Sequence, residues 1–378
     1  MKSRIPRSIQ PTIASQLRSN KVILLVGARR VGKTVLMNQL ADSFDGTKLL
    51  LNGDDLSTAD LLNDRRVASY KRWLGDTQLL LIDEAQVIPE VGRSLKLLID
   101  SFPDLTIFAT GSSAFDLANR AGEPLVGRQL THTLYPLAQL ELSATETYFQ
   151  TRDQLTDRLI FGSYPDVVQM ENTNDRIDYL KGMVSSYLLK DILLFEQVRN
   201  AHKMLQLLQL VAYQAGSEVS TDELSRQLQI DRNTVVRYLD LFTKVFILFR
   251  LGGYSNNLRK EVTKSSKWYF FDNGIRNALI NNFSLPDQRN DMGALWENYL
   301  VSERIKRNAY LRSQAIPYFW RTYDQQELDW LEETNGQLSA FEMKWNTNRV
   351  RFPKAFQTAY PEASLSVVNP DNYLEFVT

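Results

Sequence analysis

Four residues near the amino terminus have the types and the spacing of a loop that binds phosphate. Gly27, Gly32, Lys33 and Thr34 fit the pattern G-x-x-x-x-G-K-T within "LLVGARRVGKT". Glycines let backbone N–H groups close around a polyphosphate, a lysine ammonium reaches its β and γ phosphates, and a threonine hydroxyl coordinates Mg²⁺. The residues expected to contact nucleotide are therefore Gly27, Ala28, Arg29, Arg30, Val31, Gly32, Lys33, Thr34 and Val35.

An acidic pair supplies the second half of such a site. Asp83 and Glu84 end the apolar run "LLLIDE", about 50 positions after Lys33. We expect Asp83 to hold magnesium through water and Glu84 to polarise the attacking water, which makes Glu84 and Lys33 predicted catalytic residues. The alternative is a strand that simply ends in two solvated acids.

Small hydroxyl side chains end the next apolar run, "LTIFATGSS". Thr110 and Ser112, with Ser113 beside them, are expected near the γ phosphate, where such a residue senses it. A plain polar loop is the alternative interpretation of this stretch.

The elements that must position these residues follow from the apolar pattern. From residue 21 to about 135, short apolar runs alternate with helical patterns, which indicates an α/β fold with a parallel sheet buried on both faces. The loop lies between the first run and the helix "KTVLMNQLADSF", as a phosphate loop requires. We expect residues 1–135 to form a nucleotide-binding core and residues 136–200, where helical spacing takes over, to form a helical lid or adaptor.

Residues 201–290 have the pattern of a winged helix. The stretch "VSTDELSRQLQIDRNTVVRYLDLF", with Ser220 and Glu223 as a capping box, predicts two helices joined by a short turn. A strand, a Gly-Gly wing and a returning strand follow. Arg232, Asn233 and Arg237 on the second helix are predicted contacts to double-stranded DNA. Residues 198–260 contain nine Lys/Arg and five Asp/Glu, a modest positive balance that is compatible with DNA binding but does not require it. The alternative is that the winged helix is a protein docking module.

Residues 291–378 have the order of a restriction-endonuclease-like α/β domain. Glu297 is expected on a helix, Asp329 on the second of three strands, and Glu342 and Lys344 on one face of the third. Carboxylates beside a lysine are what metal-dependent phosphodiester cleavage uses. Nine basic against twelve acidic residues in this segment would repel a DNA backbone, so nuclease activity is left open.

Composition excludes several other kinds of protein. Zero cysteines exclude disulfides, thiolate zinc sites and cysteine catalysis, and suit the cytoplasm. No apolar run approaches the roughly 20 residues that span a bilayer, and the amino terminus lacks the apolar segment of a secretory signal. The chain has 44 basic residues (Lys and Arg) and 44 acidic residues (Asp and Glu), so any nucleic-acid contact must use a local patch of positive charge.

The motifs, taken in order, resemble those of a large group of bacterial and archaeal AAA-type P-loop ATPases. In that group a P-loop core precedes a winged helix and a C-terminal region with a nuclease-like fold. The stretches that carry the resemblance are "GARRVGKT", "LLLIDEAQ", "ATGSSAFDL", "LVGRQLTHTLYPL", "FGSYPDVV" and "WYFFDNGI". The resemblance implies ATP or ADP with Mg²⁺ as ligands, and Thr34 and Asp83 at the metal. It also implies an arginine that neutralises the γ phosphate, either Arg128 or Arg120, from the same chain or from a neighbouring copy if the protein self-associates.

The predicted function is an ATP-binding, slowly hydrolysing molecular switch whose nucleotide state repositions the winged helix and the nuclease-like lobe. One alternative is an ATP-gated, metal-dependent DNA nuclease. The other is a DNA-binding or scaffolding protein that holds nucleotide with little turnover. Glu84 favours hydrolysis over simple holding, and the acidic C-terminal lobe disfavours strong nuclease action.

Overall fold

The chain separates into two compact units. The computed structural model describes residues 5–112, 125–188, 200–255, 266–322, 324–346 and 350–378, and Ser113 and Arg120 lie outside these ranges. The first unit runs to Pro136 and includes Lys244–Phe246, and the second comprises Leu137–Thr243 and Ile247–Thr378. The division into four domains is finer than this and stays a prediction.

The first unit is built on a parallel sheet, which confirms the predicted α/β fold. Its five strands have the order β2-β3-β4-β1-β5. Strands β1 and β4 are buried along their whole length, as expected for parallel strands covered on both faces. The strands are β1 Val22–Val26, β2 Lys48–Asn52, β3 Leu79–Asp83, β4 Thr106–Gly111 and β5 Gln129–Thr133.

The order of the strands decides which loops meet. Strand β4 lies between β1 and β3, and its register pairs Gly111 with Val26 and Ala109 with Ile82. The carboxyl ends of β1, β3 and β4 therefore lie side by side at one edge of the sheet. The chain segments that leave these three strands are the predicted phosphate loop, the acidic pair and the hydroxyl-rich loop.

Helices of the first unit follow the expected start and stop signals. The Asp55 side chain caps α3 by accepting a hydrogen bond from Ser57 N at 2.9 Å. Helix α5 buries Val91, Leu95 and Leu98, whose spacing places them on one face. The helices are α1 Gln10–Ala14, α2 Lys33–Ser43, α3 Leu56–Asn63, α4 Val67–Leu74 and α5 Val91–Ser101, and a 3₁₀ turn covers Ala85–Val87.

The second unit begins with helices. They are α6 Gln139–Ser143, α7 Tyr148–Asp153, α8 Leu155–Phe161, α9 Pro165–Val168, α10 Thr173–Gly182, a π-helical turn Met183–Leu188, α11 Ala201–Tyr213, α12 Thr221–Leu228 and α13 Arg232–Lys244. Ser220 Oγ caps α12 by accepting from Glu223 N at 3.3 Å. The Asp231 side chain accepts from Asn233 N at 2.7 Å at the start of α13. None of the described helices is both long and apolar enough to cross a membrane.

An antiparallel strand pair follows these helices. Strands β6 Leu248–Gly252 and β7 Ser266–Phe270 pair along five residues each. The intervening residues 256–265, which include part of the predicted wing, lie outside the described ranges. The two helices and the strand pair occur in the predicted order, and their interpretation as a winged helix stays a prediction.

A second sheet ends the chain. Its four strands have the order β11-β10-β9-β8, with β10 and β11 parallel and the other pairs antiparallel. The elements are α14 Asn273–Leu279, a 3₁₀ turn Pro286–Gln288, α15 Met292–Tyr310, β8 Ile316–Arg321, β9 Glu327–Thr334, β10 Gln337–Met343, α16 Lys354–Ala359, β11 Ser364–Val368 and α17 Tyr373–Val377. This C-terminal sheet domain is present as expected, and its restriction-endonuclease-like character stays a prediction.

Buried polar side chains join α15 to the rest of the second unit. Asn298 Nδ2 donates to Phe270 O at 3.1 Å and to Asn273 Oδ1 at 2.7 Å, which links α15 to β7 and α14. A Glu303 carboxylate oxygen accepts from Gln139 N at 2.5 Å, which links α15 to α6. Because buried polar groups are costly without partners, these bonds make the predicted lid, winged-helix and C-terminal segments depend on one another.

Candidate functional site

Two glycines shape the loop between β1 and α2. Gly27 has φ of 156°, and a Cβ atom there would lie 2.1 Å from Leu134 O. The chain leaving β5 passes beside the loop at this point, where Leu134 N donates to Val26 O at 2.7 Å. Gly32 has φ of 97°, in the left-handed region that glycine adopts without steric cost. The pattern therefore requires glycine at position 27 because Leu134 lies too close for a side chain, and at position 32 because of the left-handed backbone conformation.

The Lys33 ammonium lies against the start of the same loop. Its Nζ donates to Gly27 O and Ala28 O, both at 2.9 Å, and the residue is 5% exposed. Lys33 is the first residue of α2, so its side chain reaches back across the loop to the end of β1. A phosphate oxygen would offer this ammonium a charge-assisted bond in exchange for the neutral carbonyl contacts.

Thr34 and Asp83 meet at the carboxyl edge of the sheet. Thr34 Oγ1 donates to Asp83 Oδ2 at 2.8 Å, and the Thr110 hydroxyl donates to Asp83 Oδ1. A hydroxyl and a carboxylate oxygen are ligand types that Mg²⁺ prefers, and here they are close together. The oxygen chemistry of this pair therefore fits a magnesium ion shared with nucleotide phosphates.

Glu84 sits in an unusual backbone conformation directly after β3. Its φ is 50°, and its N–H lies 3.1 Å from Thr110 Oγ1 and 3.2 Å from Asp83 Oδ1. A Cβ atom at Gly53 would lie 2.4 Å from Glu84 O, so the neighbouring chain also fits this turn closely. The bonds to Thr110 and Asp83 hold the Glu84 backbone against the sheet edge despite the left-handed conformation.

Gln86 is a residue of this site that the sequence analysis missed. Its Nε2 donates to Glu84 Oε2, and its Oε1 accepts from Ser112 N at 3.3 Å. Gln86 therefore links the predicted water-polarising carboxylate to the predicted sensor loop after β4. The stretch "DEAQ" contains it, but a lone glutamine in a turn gives no chemical signal of its own.

Arg128, the predicted γ-phosphate arginine, lies away from the phosphate loop of its own chain. Arg128 immediately precedes β5, and β5 runs parallel to β1 with Gln129 paired to Val22. Arg128 thus lies at the amino edge of the sheet, about 16 Å along the strand from the loop, because five strand residues rise about 3.3 Å each. Its Nε forms an ion pair with Asp100 at 2.5 Å. A contact with nucleotide from a second copy stays a prediction, and the alternative Arg120 lies outside the described residues.

The predicted DNA-contacting residues lie on α13 beside acidic partners. Arg232 Nε is 3.3 Å from Asp222 Oδ1 and donates to Thr221 Oγ1 at 3.2 Å. The Arg237 guanidinium lies 5.7 Å from the centre of the Tyr238 ring. Arg232, Asn233 and Arg237 line a cleft of about 990 Å³, whose charged residues are Glu218, Asp222, Arg232, Arg237, Asp240 and Arg250. Among the described residues that line the cleft, three arginines balance three acids, so these residues add no net positive charge to attract a phosphate backbone.

The four predicted nuclease residues are brought into one charged cluster of the second unit. Glu297 lies on α15, Asp329 on β9 and Glu342 on β10, while Lys344 follows the end of β10. Asp329 Oδ2 accepts from Met343 N at 2.8 Å, and Lys344 Nζ pairs with Glu342 Oε1 at 2.7 Å. We call these four residues, together with Lys267 and Glu327, the C-terminal cluster.

Lys267 on β7 and Glu327 on β9 are the two members of this cluster that the sequence analysis missed. The Lys267 side chain is 1% exposed, and its Nζ pairs with Glu297 at 3.2 Å and with Glu327. Tyr269 OH donates to Glu297 at 2.6 Å from the same strand. The lysine comes from a segment predicted to belong to another domain, so no local pattern could reveal it. Within the described ranges, no group of three or more acidic or histidine side chains is placed to hold a metal ion.

Burial and mutual repulsion set the protonation of the cluster. Burial raises the pKa of Glu297 to about 7, Lys267 opposes this rise, and Asp329 adds to it. Burial likewise raises the pKa of Asp329, and burial and the Asp329 charge raise the pKa of Glu342. Burial lowers the pKa of Lys267, but the surrounding carboxylates outweigh it and leave that pKa well above its ordinary value. The Lys267 ammonium therefore favours the ionised forms of Glu297 and Asp329, and the Lys344 ammonium favours those of Asp329 and Glu342.

Comparisons with known families agree with the geometry of the first unit. Residues 19–143 match the family model of an AAA domain. Residues 152–285 and 292–376 match two models, each described as a domain of unknown function (DUF8612 and DUF4143). The match to the AAA domain ends at residue 143 and the next match begins at residue 152, shortly after Pro136, where the main segment of the first unit ends.

Similar proteins extend over most of the chain. The uncharacterized protein Rv2008c of Mycobacterium tuberculosis is 28% identical over 359 residues, which are 93% of this chain and 77% of that protein. The uncharacterized protein MJ1544 of Methanocaldococcus jannaschii is 24% identical over 381 residues, covering 96% and 83% of the two chains. Among solved structures, the Walker-type ATPase of Pyrococcus abyssi superposes with a TM-score of 0.52 and 15% identity, covering 74% of this chain and 96% of that one. At that identity the likeness is one of fold.

Proposed function

Because residues 19–143 have an AAA-type P-loop ATPase fold, we propose that the chain binds ATP with Mg²⁺ and hydrolyses it slowly. In this proposal the nucleotide acts as a switch on the second unit. One observation carries this proposal. Thr34, Asp83, Thr110 and the Glu84 backbone form a connected set of hydrogen bonds at one sheet edge, and Lys33, next to Thr34 in the chain, contacts the loop backbone there. These groups are what phosphoryl transfer to water uses: a cation for the phosphates, oxygen ligands for magnesium and a carboxylate for the water.

Each side chain has a distinct role in this proposal. The Lys33 ammonium exchanges its two carbonyl contacts for the β and γ phosphate oxygens. Thr34 and Asp83 would hold Mg²⁺, which when bound supplies charge neutralisation for those oxygens. Glu84 orients the attacking water and accepts its proton. Thr110 and Ser112 report the presence of the γ phosphate in this proposal, which is supported by the position of β4 between the loop strand and the acidic strand.

ATP turnover in matched variants tests the proposal. We expect Lys33→Ala to lose nucleotide binding, because in this proposal its ammonium is the charge that contacts the β and γ phosphates. We expect Glu84→Gln to keep binding but lower turnover by about 100-fold or more, the scale of a positioned general base. Binding is measured by calorimetry and turnover by phosphate release, with Mg²⁺ present.

Two control variants make the same kinds of substitution outside the proposed nucleotide site. Lys21 Nζ donates to Gly127 O at the opposite sheet edge, so Lys21→Ala controls for loss of a lysine. Glu90 also has a left-handed backbone, with φ of 49°, and pairs with Arg65, so Glu90→Gln controls for Glu84→Gln. Equal nucleotide affinity in Lys33→Ala and the parent would contradict the P-loop assignment, and equal turnover in Glu84→Gln would move the base elsewhere.

The response of the second unit is the finer part of the proposal. We propose that α13 and the strand pair β6–β7 act as a winged helix that meets DNA or a protein in one nucleotide state. The exposed Arg232 and Asn233 support contact with DNA, while the balanced charge of their cleft weakens the electrostatic case. Nuclease action by the C-terminal cluster is disfavoured, because Lys267 already pairs with two of its carboxylates, Glu297 and Glu327. Plasmid integrity followed during the turnover assay separates this switch from an ATP-gated nuclease.

A further inference from the structure

Arg7, from the segment before α1, reaches the back of the phosphate loop. Its Nη1 donates to Val31 O at 2.6 Å and its Nη2 donates to Tyr135 O at 2.7 Å. The residue is 7% exposed, so the guanidinium is held inside the first unit. An arginine side chain can make both bonds at once because its donors form a rigid planar fork.

The bond to Val31 acts on the peptide group that joins Val31 to Gly32. In a planar trans peptide the C=O and the N–H point in opposite directions. Holding Val31 O toward Arg7 therefore turns the Gly32 N–H away from Arg7. Gly32, with φ of 97°, could flip this peptide at low cost because it has no side chain. The Gly32 N–H belongs to the part of the loop pattern whose N–H groups surround phosphate.

The bond to Tyr135 fixes the other wall of the same loop. Leu134, the preceding residue, donates its N–H to Val26 O at 2.7 Å and lies against Gly27. One guanidinium thus ties together the beginning of the chain, the end of the loop and the segment leaving β5. The Nη1 atom is also the nearest atom to the position a Gly32 Cβ would take, at 3.7 Å.

We propose that Arg7 is a positioning residue of the nucleotide site, which holds the Val31–Gly32 peptide with its N–H toward the phosphates. Arg7 lies behind the loop and acts through that peptide. This inference rests on the proposed nucleotide binding. It predicts that the loop without Arg7 still forms but samples peptide orientations that present a carbonyl to the phosphates, which weakens binding.

The test compares Mg²⁺-ADP affinity among the parent, Arg7→Ala, Arg7→Lys and a control, Arg18→Ala. Arg18 also lies before β1 and donates to a main-chain carbonyl, Asp45 O at 2.9 Å, away from the loop. We expect Arg7→Ala to weaken affinity about tenfold or more, as for loss of a charge-assisted hydrogen bond. Arg7→Lys should be intermediate, since an ammonium lacks the fork, and Arg18→Ala should bind like the parent.

A rescue measurement separates positioning from a general loss of folding. Methylguanidinium added to folded Arg7→Ala should restore most of the lost affinity, and methylammonium at equal concentration should restore less. All affinities are measured well below the unfolding temperature, with folding checked by circular dichroism. Parent-like affinity in Arg7→Ala, or weakened affinity that methylguanidinium leaves unchanged, would overturn this inference alone. A parent protein that binds no nucleotide would overturn the proposed function and this inference together.

Discussion

At the residue scale, Lys267 gives the clearest prediction outside the nucleotide site. Lys267→Met removes the ammonium and leaves Glu297 and Glu327 without their shared cation. Breaking a buried ion pair from one side costs about 3–5 kcal/mol, so we expect the free energy of unfolding to fall by about that amount. Adding Glu297→Gln should recover part of the loss, because it removes one of the uncompensated charges. Urea unfolding of the parent, both single variants and the double variant measures the coupling.

The control for this prediction lies in the same cluster. Lys344 pairs with Glu342 but is 37% exposed, whereas Lys267 is 1% exposed, so Lys344→Met should cost less than Lys267→Met. Equal costs for Lys267→Met and Lys344→Met would contradict the importance of Lys267. A divalent-ion-dependent rise in the melting temperature of the parent, lost in Asp329→Asn, would instead identify a metal site.

Individual residues were predictable from the sequence to different degrees. Thr34 and Asp83 meet as expected because the loop motif and the acidic strand end carry a strong local signal. The motif around Arg128 carries no information on strand direction, and the parallel register of β5 puts Arg128 at the sheet edge opposite the phosphate loop of its own chain. Arg7 and Lys267 act through contacts distant in sequence, which spacing cannot reveal.

At the scale of elements, helix α13 can be tested for DNA contact by salt dependence. We expect Arg232→Ala with Arg237→Ala to weaken duplex binding and to reduce the slope of log affinity against log salt by about 0.9 per lost phosphate contact. The exposed Arg226 on α12 provides the control, since Arg226→Ala also removes an exposed positive charge but should leave the slope unchanged. Fluorescence anisotropy at several salt concentrations measures it. Salt-insensitive or absent binding in the parent would make α13 a docking element for protein.

Most elements of the first unit follow from apolar periodicity, but their spatial order does not. The runs that became β1, β3 and β4 each read as buried strands, and the loop motif located α2. The position of β4 between β1 and β3 depends on hydrogen bonds between residues distant in sequence, which a local pattern cannot reveal. In the second unit, separate helical and strand patterns predict separate domains, and that division stays a prediction.

At the scale of the whole molecule, the buried bonds of α15 predict which fragments fold. A fragment of residues 292–378 lacks Gln139, Phe270 and Asn273, which pair with Glu303 and Asn298 in the full chain. Leaving such groups unsatisfied costs about 1–3 kcal/mol each, a large share of a small domain's stability. We therefore expect this fragment to be largely unfolded, while residues 137–378 fold cooperatively. Circular dichroism and thermal unfolding of both fragments test this, and a cooperative transition in the shorter one would contradict it.

The left-handed backbone of Glu84 has an evolutionary consequence. A residue with a side chain at φ of 50° costs on the order of 1 kcal/mol that glycine would not. Selection for thermal stability alone would therefore favour glycine after Asp83, and selection for turnover would favour the carboxylate. At position 84, thermal stability and catalysis therefore favour different residues. A lineage that no longer hydrolyses ATP could replace Glu84 by glycine and gain stability.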